Sequence, residues 1–289
     1  MLKSVFVGRE NVFNLVLANW LAHHTHLDGV VWADAGRYSS NWRSKWLKRS
    51  IKRDGVPTTI DRMLFSFFFG RSEERKAGTK RMNQDVRAAF PYESARDKTQ
   101  QLWADSMRTK EVERFLKDIN PDLIFVNCIS QLIPRRVCEL PRLGLFIYHE
   151  GVTPEYKGMH CPLWAISNGD NDKVGYTLLK ADQSFDGGPV AVQGVTSLDP
   201  LATSLGYTGH WSLAEGFPQI AEFLQNLEAG TEEYLDTNGR VPGYYSYFGY
   251  SRYRDIKRRR KARGLTVGVD DVVFRKESPL HSNSVLHAS

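Results

Sequence analysis

The sequence predicts an α/β fold with an open, mostly parallel, Rossmann-like sheet, and three observations support this prediction. An apolar run at residues 4–7, a helical apolar pattern at 12–21 and a second apolar run at 29–34 follow one another, which is the strand-helix-strand order of a parallel pair. Residues 122–127 form a nearly continuous apolar run, as expected for a strand buried on both faces of a sheet. Strand-like and helix-like segments then alternate as far as residue 227, which indicates one open sheet.

The later elements follow from the same patterns. Apolar residues at helical spacing predict a helix over residues 110–120, which Pro121 ends. A short helix is predicted over residues 133–140. The further strands predicted are residues 145–148, 174–180 and 190–196. An amphipathic helix is predicted over residues 212–227, and Gly230 marks its end.

The 289 residues divide into a main domain and two additions. We expect the main domain to span residues 1–230. A basic, aromatic-rich and mostly helical insertion is expected at about residues 36–110, where the strand-helix alternation breaks down. Residues 231–289 form a short appendage that is first rich in Tyr and Gly and then basic, and from residue 278 onwards we expect disorder.

The formal net charge of +6 is concentrated in three basic runs, at residues 43–53, 71–81 and 252–263. Such runs fit nucleic acid, an anionic membrane or a phosphorylated small molecule, but they are also typical of solvated helix faces. Charge alone therefore does not select a partner.

Several other classes of protein are not favoured. The three cysteines are widely spaced and odd in number, so neither a disulfide framework nor a zinc site is expected. The apolar patch at residues 63–69 is too short to span a membrane, and we expect it to pack on the main domain, with a membrane-surface or partner contact as the alternative. The first residues read as a strand rather than a signal peptide, so a cytoplasmic location without a transmembrane segment is expected.

Ligands of open α/β sheets bind outside the carboxyl ends of the strands, where three loops are predicted, at residues 127–134, 149–160 and 181–189. His149 and Asp186 lie in two of these loops. Together they are candidates for general acid-base or oxyanion-stabilising work. Considered separately, each is also compatible with an ordinary loop residue, since an Asp before two glycines is common in turns.

A longer pattern surrounds these two residues and resembles the folate-dependent formyltransferases. This family includes methionyl-tRNA, glycinamide ribonucleotide, amino-sugar and hydroxyornithine formyltransferases. The likeness covers roughly residues 1–35 and 110–230. The residues that carry it most strongly are His149, Pro154, Tyr156, Gly158, residues 164–166, 168–170 and 175–177, Asp186, residues 188–190, and Gln193.

The resemblance implies a reaction and a cofactor. The donor would be 10-formyltetrahydrofolate, with no metal. His149 would donate a hydrogen bond to the oxyanion of a tetrahedral intermediate, and Asp186 would accept or relay the proton of the attacking amine. The residues implied in folate binding are Gln131, Leu132, Ile133, Gly151, Val152, Thr153, Pro154, Ala181, Asp182 and Asp186.

One position departs from the family pattern. Where the family usually has an asparagine that acts as the second oxyanion donor, this chain has Ile147, which cannot donate a hydrogen bond. Asn127, His160 and backbone N–H groups are the candidates to replace it. If none does, the chemistry is weakened or altered.

The acceptor implied by the resemblance is a small amine, such as an amino-sugar nucleotide, a hydroxyornithine or an amino-acid derivative, and the basic excess would suit a phosphorylated one. Three alternatives stay open: methionyl-tRNA formylation, hydrolysis of 10-formyltetrahydrofolate, and an inactive protein of this fold that acts as a nucleic-acid or membrane adaptor. Methionyl-tRNA is disfavoured because 59 residues follow Gly230, fewer than the usual tRNA-holding domain requires. The oligomeric state, including a homodimer, is left open.

Overall fold

The computed structural model describes residues 1–33, 42–129, 131–182, 184 and 186–266. A seven-stranded sheet with the strand order β3-β2-β1-β4-β5-β7-β8 forms its centre, and β6 and β9 pair separately. The strands are β1 (Lys3–Gly8), β2 (His26–Ala33), β3 (Gln100–Ala104), β4 (Leu123–Asn127), β5 (Gly144–His149), β6 (Lys157–Gly158), β7 (Gly175–Lys180), β8 (Val190–Val195) and β9 (Tyr244–Tyr245). The first five strands of this order run parallel, which confirms the predicted fold class.

Helices cover both faces of the sheet. They are α1 (Val12–His24), α2 (Trp42–Arg71), α3 (Glu73–Ala89), α4 (Lys110–Ile119), α5 (Arg135–Cys138), α6 (Cys161–Asn168), α7 (Leu205–Glu215), α8 (Phe217–Ala229) and α9 (Tyr250–Ala262). Side chains alternate along each strand, so Phe125 and Tyr148 pack into a core with α1, α7 and α8. Val126 and Leu145 pack on the opposite face, into a second core with α4.

The helix predicted over residues 212–227 is two helices, α7 and α8. Gly216 separates them, and Pro218 lies in the first turn of α8. Proline has no N–H to donate to the preceding turn and is tolerated only at a helix start. A new helix therefore begins near Pro218, although the apolar pattern continues across the break.

One predicted loop position is wrong. Strand β7 runs antiparallel to β5, with His149 opposite Thr177 and Phe146 opposite Lys180. The loop at residues 181–189 therefore leaves the sheet at the edge where β5 begins, whereas His149 lies where β5 ends. An apolar strand pattern does not encode strand direction, so the sequence could not place this loop.

The segment from residue 42 to 110 contributes α2, α3 and also β3, which is the edge strand of the sheet. In the apolar patch, Phe65 and Phe69 are buried against α6 and α9, while Phe67 and Phe68 are each about half exposed (52% and 48%). The patch thus packs through only one of its faces. None of the helices in the described ranges is long and apolar enough to cross a membrane.

The C-terminal helix α9 is joined to the main domain through a buried arginine. Arg260 donates to the carbonyls of Leu201 and Thr203 at 2.9 and 2.8 Å, and it forms an ion pair with Glu74 at 2.9 Å. Part of the basic run at 252–263 is therefore structural. The segment expected to be disordered, from residue 278 onwards, lies outside the described residues.

Candidate active site

The loop that follows β5, residues 150–160, turns back across the sheet over β7 and β8, and we call it the active-site loop. The Thr177 hydroxyl donates to the Gly151 carbonyl at 2.7 Å and accepts from the Thr153 N–H at 3.1 Å. The Gln193 amide donates to the Thr153 carbonyl at 2.6 Å. Thr177 and Gln193 belong to the pattern recognised in the sequence, and their role here is to hold the loop.

The C-terminal segment holds the same loop from its other side. Arg240 donates to the Gln193 side-chain oxygen at 2.8 Å and pairs with both carboxylate oxygens of Glu155, at 3.0 and 2.6 Å. Strand β6, within the loop, pairs with β9. The loop is consequently clamped between the sheet and residues 240–245.

His149 is buried at the end of β5, and the active-site loop binds its ring. The Nε2 atom lies 3.1 Å from the Tyr156 carbonyl oxygen. Because a carbonyl can only accept, Nε2 must carry the hydrogen of this bond. No hydrogen bond to Nδ1 is found among the described residues, so Nδ1 is free to accept, and it can donate only when the imidazole is doubly protonated.

A buried thiol lies beside the same ring. The Sγ atom of Cys161 is 3.4 Å from His149 Nε2. Burial raises the pKa of this thiol well above its usual range, and the charge of Glu150 adds to the rise. The group therefore stays a neutral thiol rather than a thiolate, which does not favour a nucleophilic role.

Asp186 reaches the active-site loop from the turn between β7 and β8. Its Oδ2 accepts the Gly158 N–H at 2.9 Å, and no described residue donates to its Oδ1. His149 thus contacts the loop at Tyr156, and Asp186 contacts it two residues further on, at Gly158. A direct hydrogen bond between the two side chains is not among the described contacts.

Gly158 is required at its position. Its φ is +103°, and a Cβ there would lie 2.0 Å from the Tyr245 carbonyl oxygen. A side chain would therefore be strained in its backbone and would collide with main chain that cannot move away cheaply.

Glu150 is a further candidate that the sequence analysis missed. It is half-buried, and burial raises the pKa of its carboxyl, as does the charge of Asp186, whereas His149 and the His160 N–H lower it. His149 and Asp186, the two predicted catalytic residues, therefore both affect the pKa of the Glu150 carboxyl. In the sequence, Glu150 could have been noticed as a charged residue that directly follows a buried strand ending in histidine.

The accessory candidates Asn127 and His160 are placed less favourably. Asn127 is buried and its Nδ2 has no hydrogen-bond partner among the described residues, but strand alternation puts it on the face of Phe125 and Tyr148, opposite to that of His149. The His160 Nδ1 accepts the Phe248 N–H at 3.2 Å. Ile147 lies on the face of His149 and packs against the α4 core. The roles assigned to Asn127 and His160 stay predictions.

The residues predicted to bind folate occupy three short segments. In the first, Gln131 accepts the Met107 N–H at 2.8 Å, Leu132 is 48% exposed and Ile133 is buried. In the turn at 151–154, Val152 and Thr153 are buried, and the Pro154 carbonyl accepts from Gly243. In the third, the Ala181 N–H donates to Leu145 and the Asp182 carboxylate accepts from Ser184. Leu132 is thus the exposed apolar side chain among them. The described residues contain no cluster suited to a metal ion.

We expect Thr177→Val to lower the free energy of unfolding by about 2 kcal/mol, because the buried Thr153 N–H would lose its acceptor. Chemical denaturation measures this. Thr208→Val is the matched control: this hydroxyl is equally buried, but among the described residues it bonds only the Ser204 carbonyl, which also receives the main-chain N–H of residue 208. The control should change stability by less than about 0.5 kcal/mol, and equal losses in both variants would contradict the anchoring role of Thr177.

Glu150→Gln should change the pH dependence of stability. A carboxyl whose pKa is raised by folding binds its proton more tightly in the folded state, so wild-type stability falls as pH rises above the unfolded value of 4.5. Glutamine lacks this titration and can still accept the His160 N–H. Urea denaturation at about pH 5 and about pH 8 should show the variant gaining stability relative to wild type at the higher pH. A difference that is constant or reversed would refute the raised pKa.

This chain is similar to known formyltransferases in sequence. A family model described as formyl transferase matches residues 70–211. The methionyl-tRNA formyltransferase of Thermotoga maritima is 30% identical over 129 residues, which are 45% of this chain and 41% of that protein. The chain thus matches less than half the length of this relative.

Solved structures agree in fold. A sugar N-formyltransferase from Shewanella superposes with a TM-score of 0.51 at 12% identity, covering 89% of this chain and 86% of that one. Glycinamide ribonucleotide transformylase 1 from Symbiobacterium toebii gives 0.51 at 14% identity, covering 83% and 92%. The fold of this chain is therefore the one that the sequence resemblance implied, and residues 70–211 are similar to the formyl transferase family.

Proposed function

We propose that this chain transfers a formyl group from 10-formyltetrahydrofolate to the amine of a small-molecule acceptor, with His149 and Asp186 as the catalytic residues. The observation that carries the proposal is the active-site loop. It binds both side chains at positions two residues apart, and it lies entirely within the segment that matches the formyl transferase model.

The residues beside this loop suit a flat, polar-edged ring. Leu132 offers an exposed apolar surface, and we assign polar main-chain groups of the segments at 151–154 and 181–182 to the edges of the ring. Flat ligands are commonly held by apolar contact with a few main-chain hydrogen bonds. When bound, 10-formyltetrahydrofolate supplies the activated formyl carbon.

His149 stabilises the oxygen that becomes negative as the amine attacks this carbon. With Nε2–H held by Tyr156, the ring donates through Nδ1 and acts as an imidazolium. A preorganised donor of this type contributes about 2.7 to 4 kcal/mol to the transition state. Because Ile147 offers no second donor on the same face, the reaction depends more heavily on His149.

Asp186 receives the proton that the attacking amine loses. Its Oδ2 is held by the Gly158 N–H, which leaves Oδ1 to accept a proton directly or through a water molecule. The proton then passes from Asp186 to the nitrogen of the donor, which leaves. One C–N bond forms, one C–N bond breaks, and one proton moves from the amine to the leaving nitrogen.

A second acceptor, methionyl-tRNA, is favoured by one observation. Methionyl-tRNA formyltransferases are among the relatives that are similar in sequence to part of this chain. We rank it below a small amine because much of the basic surface of α9 is engaged in structural contacts, as Arg260 illustrates.

The test is a formyl-transfer assay with 10-formyltetrahydrofolate and a panel of amines that includes methionyl-tRNA. We expect His149→Gln and Asp186→Asn each to lower kcat by at least about 10²-fold, while thermal unfolding shows that both variants stay folded. Near wild-type turnover in either variant would refute its assigned role. Formate release without any acceptor would instead establish the hydrolase alternative.

A further inference from the structure

An apolar stripe runs along the outer side of the second half of α2. Gly55, with a φ of +82°, interrupts this helix, and the residues after it place apolar side chains on one exposed helical face. These side chains are between 40% and 52% exposed, and they are Val56, Ile60, Met63, Leu64, Phe67 and Phe68. We call them the outer stripe. It is about 18 Å long at the helical rise, and a contiguous exposed apolar surface of this kind marks an interaction site.

The helix that carries the outer stripe is fixed from behind. On its inner side, Phe65 and Phe69 are buried. The ring of Phe65 lies 5.1 Å from that of Phe248, and the ring of Phe69 lies 5.5 Å from that of Tyr253 in α9. The outer stripe is therefore presented by a helix that is already formed, so a ligand that covers it does not have to offset the cost of helix formation.

A row of cations on α9 borders the outer stripe. The ring of Tyr250, at the start of α9, lies 4.9 Å from that of Phe68. Arg254, Lys257 and Lys261 follow Tyr250 at helical spacing, on the same flank of α9, and all three are exposed. We call them the basic row. None of them forms an ion pair with an acidic side chain in the part of the chain that the structure describes.

The charge beside the outer stripe is positive. Arg71, the last residue of α2, is exposed, and its guanidinium lies 4.2 Å from the centre of the Phe67 ring. The acidic residues of α2, of the start of α3 and of α9 are each engaged by a cation or by a hydrogen-bond donor, and they are Asp54, Asp61, Glu73, Glu74 and Asp255. The basic row and Arg71 are therefore left to attract an anionic surface.

This combination fits a lipid bilayer better than a protein. Outward Phe, Leu and Ile side chains flanked by Lys and Arg are typical of helices that lie in the interface of an anionic membrane. The outer stripe is a convex helix face, which lipid chains can surround, whereas a protein partner would need a groove that matches it. A second copy of this chain, docked stripe to stripe about a two-fold axis, would bring like charges close together.

We propose that the outer stripe and the basic row dock this protein on the surface of an anionic lipid bilayer. The apolar side chains enter the boundary of the acyl chains, and the cations lie level with the lipid phosphates. Docking holds the active-site loop near the membrane, since the ring of Phe65, on the inner side of the same helix, lies 6.2 Å from that of His160 at the end of that loop. The inference goes beyond the proposed function and does not depend on it.

Co-sedimentation of the full chain with vesicles tests the apolar part. One set of vesicles contains phosphatidylcholine alone, and the other contains equal parts of phosphatidylcholine and phosphatidylglycerol. We expect the wild type to bind the mixed vesicles at least about tenfold more tightly than the neutral ones, and less tightly as salt is raised. Leu64→Ser/Phe67→Ser should weaken binding to the mixed vesicles by at least about tenfold.

The matched control for this variant is Leu235→Ser/Val241→Ser, which removes two exposed apolar side chains outside the outer stripe. It should bind the mixed vesicles within about twofold of wild type. Thermal unfolding of both variants shows that they stay folded. Equal losses in the two variants, or no loss in either, would overturn the proposal.

A second pair of variants tests the charge. Arg254→Gln/Lys257→Gln should weaken binding to the mixed vesicles by at least about tenfold. Lys110→Gln/Arg114→Gln removes the same charge from exposed positions on α4, on the other face of the sheet, and should bind within about twofold of wild type. Equal losses in these two variants would reduce the effect to the net charge of the chain and overturn the basic row as a docking element.

Two further results would overturn the proposal as a whole. One is a wild-type protein that binds neither kind of vesicle. The other is a wild-type dimer that Leu64→Ser/Phe67→Ser converts to a monomer while vesicle binding is absent, because a second copy of the chain would then cover the outer stripe.

Discussion

The hydrogen bond between the His149 imidazole and the Tyr156 carbonyl determines what the candidate active site can do. It fixes the ring at the end of β5, and it assigns the hydrogen to Nε2 because a carbonyl can only accept. The other nitrogen is left for the ligand. Since the same loop binds Asp186 through the Gly158 N–H, the conformation of that loop sets the relation between the two catalytic candidates.

The loop keeps this conformation through polar contacts that lie far apart in sequence. Thr177 and Gln193 bind it from the sheet, and Arg240 joins Gln193 to Glu155 from the C-terminal segment. A strand position whose hydroxyl both donates and accepts is demanding, because an isosteric apolar residue would leave a buried N–H unpaired. Such positions lie within the segment of some 45 residues that carries the resemblance, in which His149 and Asp186 are the catalytic candidates.

The sequence was most informative where local patterns decide the structure. The buried run of β4 and the alternation of helices and strands predicted the sheet correctly, because burial on both faces leaves an apolar signature. Strand direction leaves no such signature, so the sequence did not predict that β7 runs antiparallel to β5. The raised pKa of the Glu150 carboxyl could not be predicted either, since it depends on burial and on the tertiary neighbours His149, His160 and Asp186.

The position of the hydrogen on His149 tests this account most directly. Nitrogen-15 NMR of the imidazole, assigned with His149→Gln, distinguishes the two neutral tautomers at a pH where the ring is uncharged. The structure predicts that Nε2 carries the hydrogen and that Nδ1 is bare. A ring that carries its hydrogen on Nδ1 in the free protein would contradict the proposed orientation of His149 and the mechanism built on it.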